Sequence, residues 1–233
     1  MSIWSSPPTA TQSVFRRGDV HLGVYSIQTA LNRIGGTPLV EDGSFGVATE
    51  ARVKNYQIAV GFTGKDVDGV VGQATQAKLA HSCIIRTPSG SALPHGLLEG
   101  LIKLESGNYI AAVNARVAGG VDYGFTQRRV YGPPFDPVAV QAAAKPVTQV
   151  NLAAAELDDN HDRYMVGMNP ACPFNAWELA VLHHNWPWAA DTYHRYGHLP
   201  DPTKIATWVT WATMTWDQWA HYYVKSVTAG VKW

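Results

Sequence analysis

The sequence is poor in several features that would place it in a particular class of protein. It has only two cysteines, Cys83 and Cys172, too few for the disulfide framework of a small secreted domain. Their spacing does not fit a zinc site. One bridge between them stays open as an alternative, although two separate thiols are the more ordinary outcome.

Charge of one sign is also missing, because 18 basic and 18 acidic residues cancel. We therefore expect no basic surface for nucleic acid or for an anionic membrane. No apolar run is long enough to span a bilayer. The first residues lack a basic leader followed by an apolar core, so we expect no secretory signal. Hydrophobic residues make up 46% of the 233 residues, which is enough to form the core of one or two globular domains.

The clearest pattern is an internal repeat, D-G-x-x-G-x-x-T, which starts at Asp42 and again, 26 residues later, at Asp68. In each copy Asp-Gly favours a tight turn, the second glycine allows a positive φ, and the threonine falls in the helix that follows. Apolar residues at helical spacing occur before, between and after the copies. Residues 18–80 are therefore predicted to form a small three-helix bundle.

This bundle resembles the peptidoglycan-binding domain found beside many cell-wall enzymes. The resemblance depends on the doubled motif and on Ile27-Gln28 and Tyr56-Gln57. It implies that bacterial peptidoglycan is the partner. We place this domain at residues 1–81, a polar connector containing Thr87-Pro88-Ser89-Gly90-Ser91 at 82–91, and a second domain at 92–233.

The second domain is predicted to be mostly α-helical, which makes the whole chain mostly α. A small β-hairpin is allowed within 112–128. The expected helices are 94–106, 137–144, 148–165, 175–185, 187–195, 202–213 and 215–227.

Glu105 is the candidate catalytic residue of this domain. Leu97, Leu98, Leu101, Ile102 and Leu104 would form the apolar stripe of a helix that ends at Gly107. The stripe delivers the Glu105 carboxyl to the last turn of a buried helix. Partial burial disfavours the charged form of a carboxyl, as the general acid of glycosidic bond cleavage requires.

Four short motifs in order extend this interpretation. They are Glu105-Ser106-Gly107 with Ala112-Val113, Gly124-Phe125-Thr126-Gln127, His184-Asn185-Trp186-Pro187, and Tyr223-Val224 with Val227. Over about residues 92–230 they resemble the soluble lytic transglycosylase and goose-type lysozyme superfamily, whose motifs read E-S-G, G-L-M-Q, A-Y-N-x-G-P and Y-V-x-x-V. The resemblance implies a lysozyme-like catalytic domain.

The resemblance also implies roles for individual residues. Glu105 would be the general acid, and Asp122 is the best candidate for a second carboxylate, which would favour hydrolysis over the intramolecular transglycosylase reaction. The residues implied to contact the substrate are Ser106, Gln127, His184, Asn185, Trp186 and Tyr223. Neither a cofactor nor a metal ion is needed for this chemistry.

Two other classes stay open. His194 and Asp201 fit the first motif of the zinc site of a peptidoglycan peptidase or amidase. Only His221 follows them as a further candidate ligand, and no glutamate occurs after Glu178 to serve as the base. A non-catalytic wall-binding protein is the other alternative.

The favoured interpretation is a bacteriophage endolysin. We expect it to be a monomer that cleaves the β-1,4 bond between N-acetylmuramic acid and N-acetylglucosamine, with no nucleic acid or membrane partner. It would be made in the bacterial host cytoplasm and reach the wall through a holin-type pore, for lysis of the host cell.

Overall fold

The structure is a computed structural model that describes residues 8, 10–85, 93–116, 119–207, 209 and 212–232. Nine α-helices and one small sheet in this part of the chain confirm the expected mostly helical fold. The chain divides into two compact units. The first comprises Met1–Ser89 and Ile102–Asn151, and the second comprises Gly90–Leu101 and Leu152–Trp233.

The first unit contains the predicted three-helix bundle. Its helices are α1 (Leu22–Ile34), α2 (Val47–Ala59) and α3 (Gln73–Ile84), with a 3-10 turn at Gly64–Asp66. Two β-bridges join the connecting segments, Phe15 with Val71 and Val20 with Ser44. The core of the bundle consists of fully or almost fully buried side chains, chiefly Phe15, Val24, Ile27, Leu31, Phe45, Val53, Tyr56 and Leu79.

A three-stranded antiparallel sheet follows α4 (Leu97–Ser106) in the chain. The strands are β1 (Val113–Arg116), β2 (Gly120–Tyr123) and β3 (Arg128–Tyr131), in the order β1-β2-β3. The hairpin that the sequence allowed is therefore present, and a third strand extends it. β2 is buried along its length, whereas β3 buries only Val130. A short helix, α5 (Pro137–Ala143), comes after the sheet and begins with the Asp136 side chain accepting a hydrogen bond from the Val138 N–H.

The second unit is helical. It contains most of α6 (Pro146–Met165), then α7 (Ala176–Asn185), α8 (Pro187–Tyr196) and α9 (Trp216–Thr228). Reciprocal side-chain and backbone hydrogen bonds at Asn175 and Glu178 begin α7, and those at Thr215 and Gln218 begin α9. Within this unit Gly100 lies so close to α9 that a Cβ atom would stand 1.9 Å from the Val227 carbonyl oxygen.

The prediction of a helix over 202–213 is wrong, because the described residues in that range are not helical. Residues 201–207 form turns and bends, and Ile205 pairs with Thr215 in an isolated bridge. The Ala206 N–H donates to the Met214 carbonyl, and the Trp216 N–H donates to the Lys204 carbonyl. Threonine recurs through this segment, and β-branched residues lower helix propensity.

Residues 102–151 belong to the same compact unit as the N-terminal helices. Residues 86–92, which hold most of the predicted connector, lie outside the described part of the chain. The division of the chain into domains at 1–81 and 92–233 stays a prediction. Cys83 and Cys172 are not joined by a disulfide. Every helix in the described residues is too short or too polar to cross a bilayer.

Candidate functional site

The two repeated loops are each organised by a buried glutamine. The Gln28 amide nitrogen donates to Asp42 Oδ1 at 2.9 Å, to the Ser44 carbonyl at 3.0 Å and to Thr49 Oγ1 at 3.3 Å. Its Oε1 atom accepts the Gly43 N–H at 2.8 Å. One side chain from α1 thus fixes the first loop and its junction with α2.

Gln57 of α2 repeats this arrangement in the second loop. Its amide nitrogen reaches Asp68 Oδ1, the Val70 carbonyl and Thr75 Oγ1 at 2.9, 3.0 and 3.3 Å. Its Oε1 atom accepts the Gly69 N–H at 2.9 Å. The equivalent distances in the two copies agree within 0.1 Å, so the sequence repeat is also a repeat of hydrogen bonds.

The loop carboxylates themselves stay at the surface. The Gln28 amide and the Ser44 N–H both donate to Asp42, and these hydrogen bonds lower the pKa of its carboxyl. A cleft of about 390 Å³ lies beside the second loop and is lined by Gln57, Asp68 and Gln73, among others. The bundle therefore offers ordered polar loops next to a concave surface.

Glu105 lies where the sequence predicted, on the last turn of α4 and partly buried. Four apolar side chains of the helix are buried, namely Leu97, Leu98, Leu101 and Ile102, while Leu104 is only partly buried. Gly107 has a φ of +61° and ends the helix in the left-handed region, as expected. The Ser106 hydroxyl donates to the Ile102 carbonyl at 2.8 Å, so its proton is used within the helix.

Asp122 is buried in the sheet and pairs with Arg129. The two residues are directly opposite in the β2–β3 register, and the Arg129 Nε and Nη2 atoms donate to the two oxygens of the carboxylate. The hydrogen bonding that Arg129 donates to Asp122 also raises the pKa of the Arg129 guanidinium. This pair holds the two strands together, and sequence reasoning missed it because the partner lies on a strand that was not predicted.

Gln127 lies in the turn between β2 and β3, with a positive φ of 52°. Its side-chain amide donates to the Gly124 carbonyl at 2.8 Å and to the Ala112 carbonyl at 3.3 Å. Gly124 has a φ of +81° and leaves room for Gln149, whose amide nitrogen would lie 2.0 Å from an added Cβ. Gln127 therefore orders the turn that follows Asp122.

The other predicted residues lie in the second unit, at the junction of α7 and α8. His184 is mostly buried, with its Nδ1 atom 3.5 Å from Glu156 Oε1. Asn185, the last residue of α7, is exposed, and the Trp186 N–H donates to the Leu182 carbonyl. Thus the site residues fall into two groups: Glu105, Ser106, Asp122 and Gln127 in the first unit, and His184, Asn185, Trp186 and Tyr223 in the second.

An aromatic cluster surrounds Trp186 within the second unit. Its ring lies 5.5 Å from those of Trp216 and Trp219 and 5.8 Å from that of Trp188. Trp219 in turn stacks on Tyr223 at 5.3 Å. The structure thus brings together the predicted Trp186 and Tyr223 and adds aromatic rings to them. Such faces can stack on sugar rings.

The outer part of this cluster is open to solvent. Trp188 is 46% exposed, whereas Trp219 and Tyr223 are buried. Lys204 Nζ lies 4.3 Å from the centre of the Trp216 ring, a cation–π contact that sequence reasoning missed. The sequence feature that pointed to this aromatic cluster was the high tryptophan content toward the C-terminal end. Two further tryptophans of this part of the sequence, Trp208 and Trp211, lie outside the described residues.

The residues that suggested a zinc site, His194, Asp201 and His221, each contact other groups. His194 Nε2 donates to the Val166 carbonyl, Asp201 accepts the Thr203 hydroxyl, and His221 Nδ1 contacts the Asp217 backbone and carboxylate. Across the described residues, no group of three or more His, Cys, Asp or Glu side chains is arranged to hold a metal ion.

Comparison with known families identifies the bundle. Residues 21–79 match the family model described as "Putative peptidoglycan binding domain". The N-terminal helical bundle is a peptidoglycan-binding domain, as the doubled motif predicted. No curated protein matches the chain.

Proposed function

We propose that the chain is a peptidoglycan glycosidase whose N-terminal domain holds it on its substrate. Glu105 would protonate the oxygen of the β-1,4 bond between N-acetylmuramic acid and N-acetylglucosamine. The observation that carries this proposal is the position of Glu105: partly buried, on the last turn of a helix anchored by its apolar face, in a chain with a peptidoglycan-binding domain.

Within this proposal Asp122 holds the sheet rather than activating water. A catalytic base needs an oxygen that can reach the attacking water. Both oxygens of Asp122 accept hydrogen bonds from Arg129 in a buried strand pair. We therefore favour the transglycosylase branch, in which the 6-hydroxyl of the sugar attacks and a 1,6-anhydro end forms.

The aromatic cluster supports a glycan substrate independently of Glu105. Trp188 presents an exposed indole, and Trp186 contacts it and the two further rings of Trp216 and Trp219. Burial of aromatic area against the apolar faces of sugar rings is a favourable contribution to glycan binding. We include in the proposal a role in phage-induced lysis of the bacterial host.

Replacement of Glu105 tests the proposal. Glu105→Gln keeps the shape of the side chain and removes the proton that is donated, so the rate of lysis of purified sacculi should fall by about 10²-fold or more. Glu99→Gln is the matched control, because it removes the same charge from the first turn of the same helix. It should keep a rate within about twofold of the wild type. Equal rates for the two variants would exclude Glu105 as the general acid.

A further inference from the structure

A second cleft, of about 430 Å³, lies within the first unit, between α1 and the first turn of α6. Its volume is in the range of small-ligand sites, about 300–1,000 Å³. Thr29, Asn32 and Arg33 of α1 form one wall, and residues 145–148 form the other. The second wall lies outside residues 21–79, so this cleft is not part of the matched binding domain alone.

Part of the lining of the cleft attracts a carboxylate. Arg33 and Lys145 both line it. The first hydrogen bond of α6 runs from the Gln149 N–H to the Lys145 carbonyl, so the Val147 and Thr148 N–H groups come before the helical ladder begins. A helix of this length also carries partial positive charge at its N-terminus.

The cleft also offers hydrogen-bond acceptors. The Asn32 amide nitrogen donates to Glu41 Oε1 at 3.0 Å, and Asn32 Oδ1 accepts the Leu39 N–H at 2.7 Å. Asn32 thereby holds the Glu41 carboxylate at the edge of the cleft. Asn151, which also lines the cleft, has a buried Oδ1 atom that accepts no hydrogen bond within the described residues.

We propose that this cleft binds the stem peptide of peptidoglycan, with a peptide carboxylate at Lys145 and the start of α6 and an amino group at Glu41. Stem peptides carry both kinds of group on a short chain. The cleft also carries both signs of charge, which disfavours a polyanion such as nucleic acid. The inference depends on the peptidoglycan-binding assignment of the first domain, and it does not depend on Glu105.

Titration calorimetry of the full chain with a soluble stem tripeptide, alanyl-γ-glutamyl-diaminopimelate, tests this proposal. The tripeptide has no glycosidic bond, so glycosidase activity cannot consume it. Lys145→Glu should weaken binding by about tenfold or more, since it replaces a charge-assisted contact by repulsion. Lys78→Glu, the same change at an exposed position of α3 that does not line the cleft, should leave the Kd within about twofold.

A second pair of measurements locates the amino group. Acetylation of the peptide amines should weaken binding to the wild type by about tenfold. Glu41→Gln should bind the free and the acetylated tripeptide equally, because the variant lacks the carboxylate that favours the charged amine. Equal Kd values for Lys145→Glu and Lys78→Glu would overturn the proposal. So would the absence of tripeptide binding by a protein that still pellets with sacculi, a result that leaves the glycosidase proposal untouched.

Discussion

Replacing Gln57 by leucine should destabilise the second loop strongly, because the side chain is nearly isosteric but makes no hydrogen bonds. The Gly69 N–H is buried and loses its acceptor, at a cost of about 1–3 kcal/mol. The donations to Asp68, the Val70 carbonyl and Thr75 are also lost. Because Asp68 is exposed, water can replace part of the hydrogen bonding that its carboxylate loses. We expect the free energy of opening of this region to fall by about 3 kcal/mol.

Native-state hydrogen exchange of the full chain, followed by mass spectrometry of peptides covering residues 47–79, measures this change. A loss of about 3 kcal/mol lowers the protection factors by about two powers of ten. Gln73→Ala is the control, since Gln73 is exposed and surface changes cost less than about 0.5 kcal/mol.

The repeat supplies an internal comparison. Gln28→Leu should cause a loss of similar size in the first loop, because its hydrogen bonds match those of Gln57 within 0.1 Å. Protection factors unchanged by Gln57→Leu, or lowered equally by Gln73→Ala, would refute the view that these glutamines hold the loops.

Two further predictions concern stability. Gly100→Ala should lower the unfolding free energy of the second unit by about 2–3 kcal/mol, because the new methyl group overlaps the Val227 carbonyl. Tryptophan fluorescence in urea measures this, and Gly230→Ala, where an added Cβ meets nothing within 4 Å, should change it little. The lowered pKa of Asp42 means that its stabilising contribution is present above the unfolded-state pKa, about 3.9, and is lost as pH falls through the folded-state value. Hydrogen-exchange protection around the first loop should therefore fall in that acid range. The fall should be smaller in Asp42→Asn, which has no carboxyl to titrate there. Equal pH profiles of protection in the wild type and in Asp42→Asn would contradict the assignment of the lowered pKa to the hydrogen bond with Gln28.

Sequence reasoning predicted the bundle well because its signals are local. Asp-Gly turns, positive-φ glycines and helical spacing determine local structure within a few residues. The resemblance to the peptidoglycan-binding domain also depended on Gln28 and Gln57. What each glutamine does could not be predicted, since Gln28 reaches Asp42 across 14 positions and Gln57 reaches Asp68 across 11. That contact exists only once the helix and the loop are packed together.

The candidate site was less predictable, because its contacts depend on register and tertiary packing. The pairing of Asp122 with Arg129 follows from a third strand whose residues are mostly polar and exposed. The contact of Lys204 with Trp216 exists because residues 201–207 turn instead of continuing as a helix. The last turn of α4, in contrast, was set by its own apolar stripe and by Gly107, so the position of Glu105 could be predicted.

Mass spectrometry of purified sacculi digested by the full chain tests the central claim most directly. The proposal predicts glycan fragments that end in 1,6-anhydro-N-acetylmuramic acid from the wild type and from Glu99→Gln, and at most about a hundredth as much from Glu105→Gln. Intact glycan strands with newly released peptide ends, or fragments formed equally by Glu105→Gln, would contradict it.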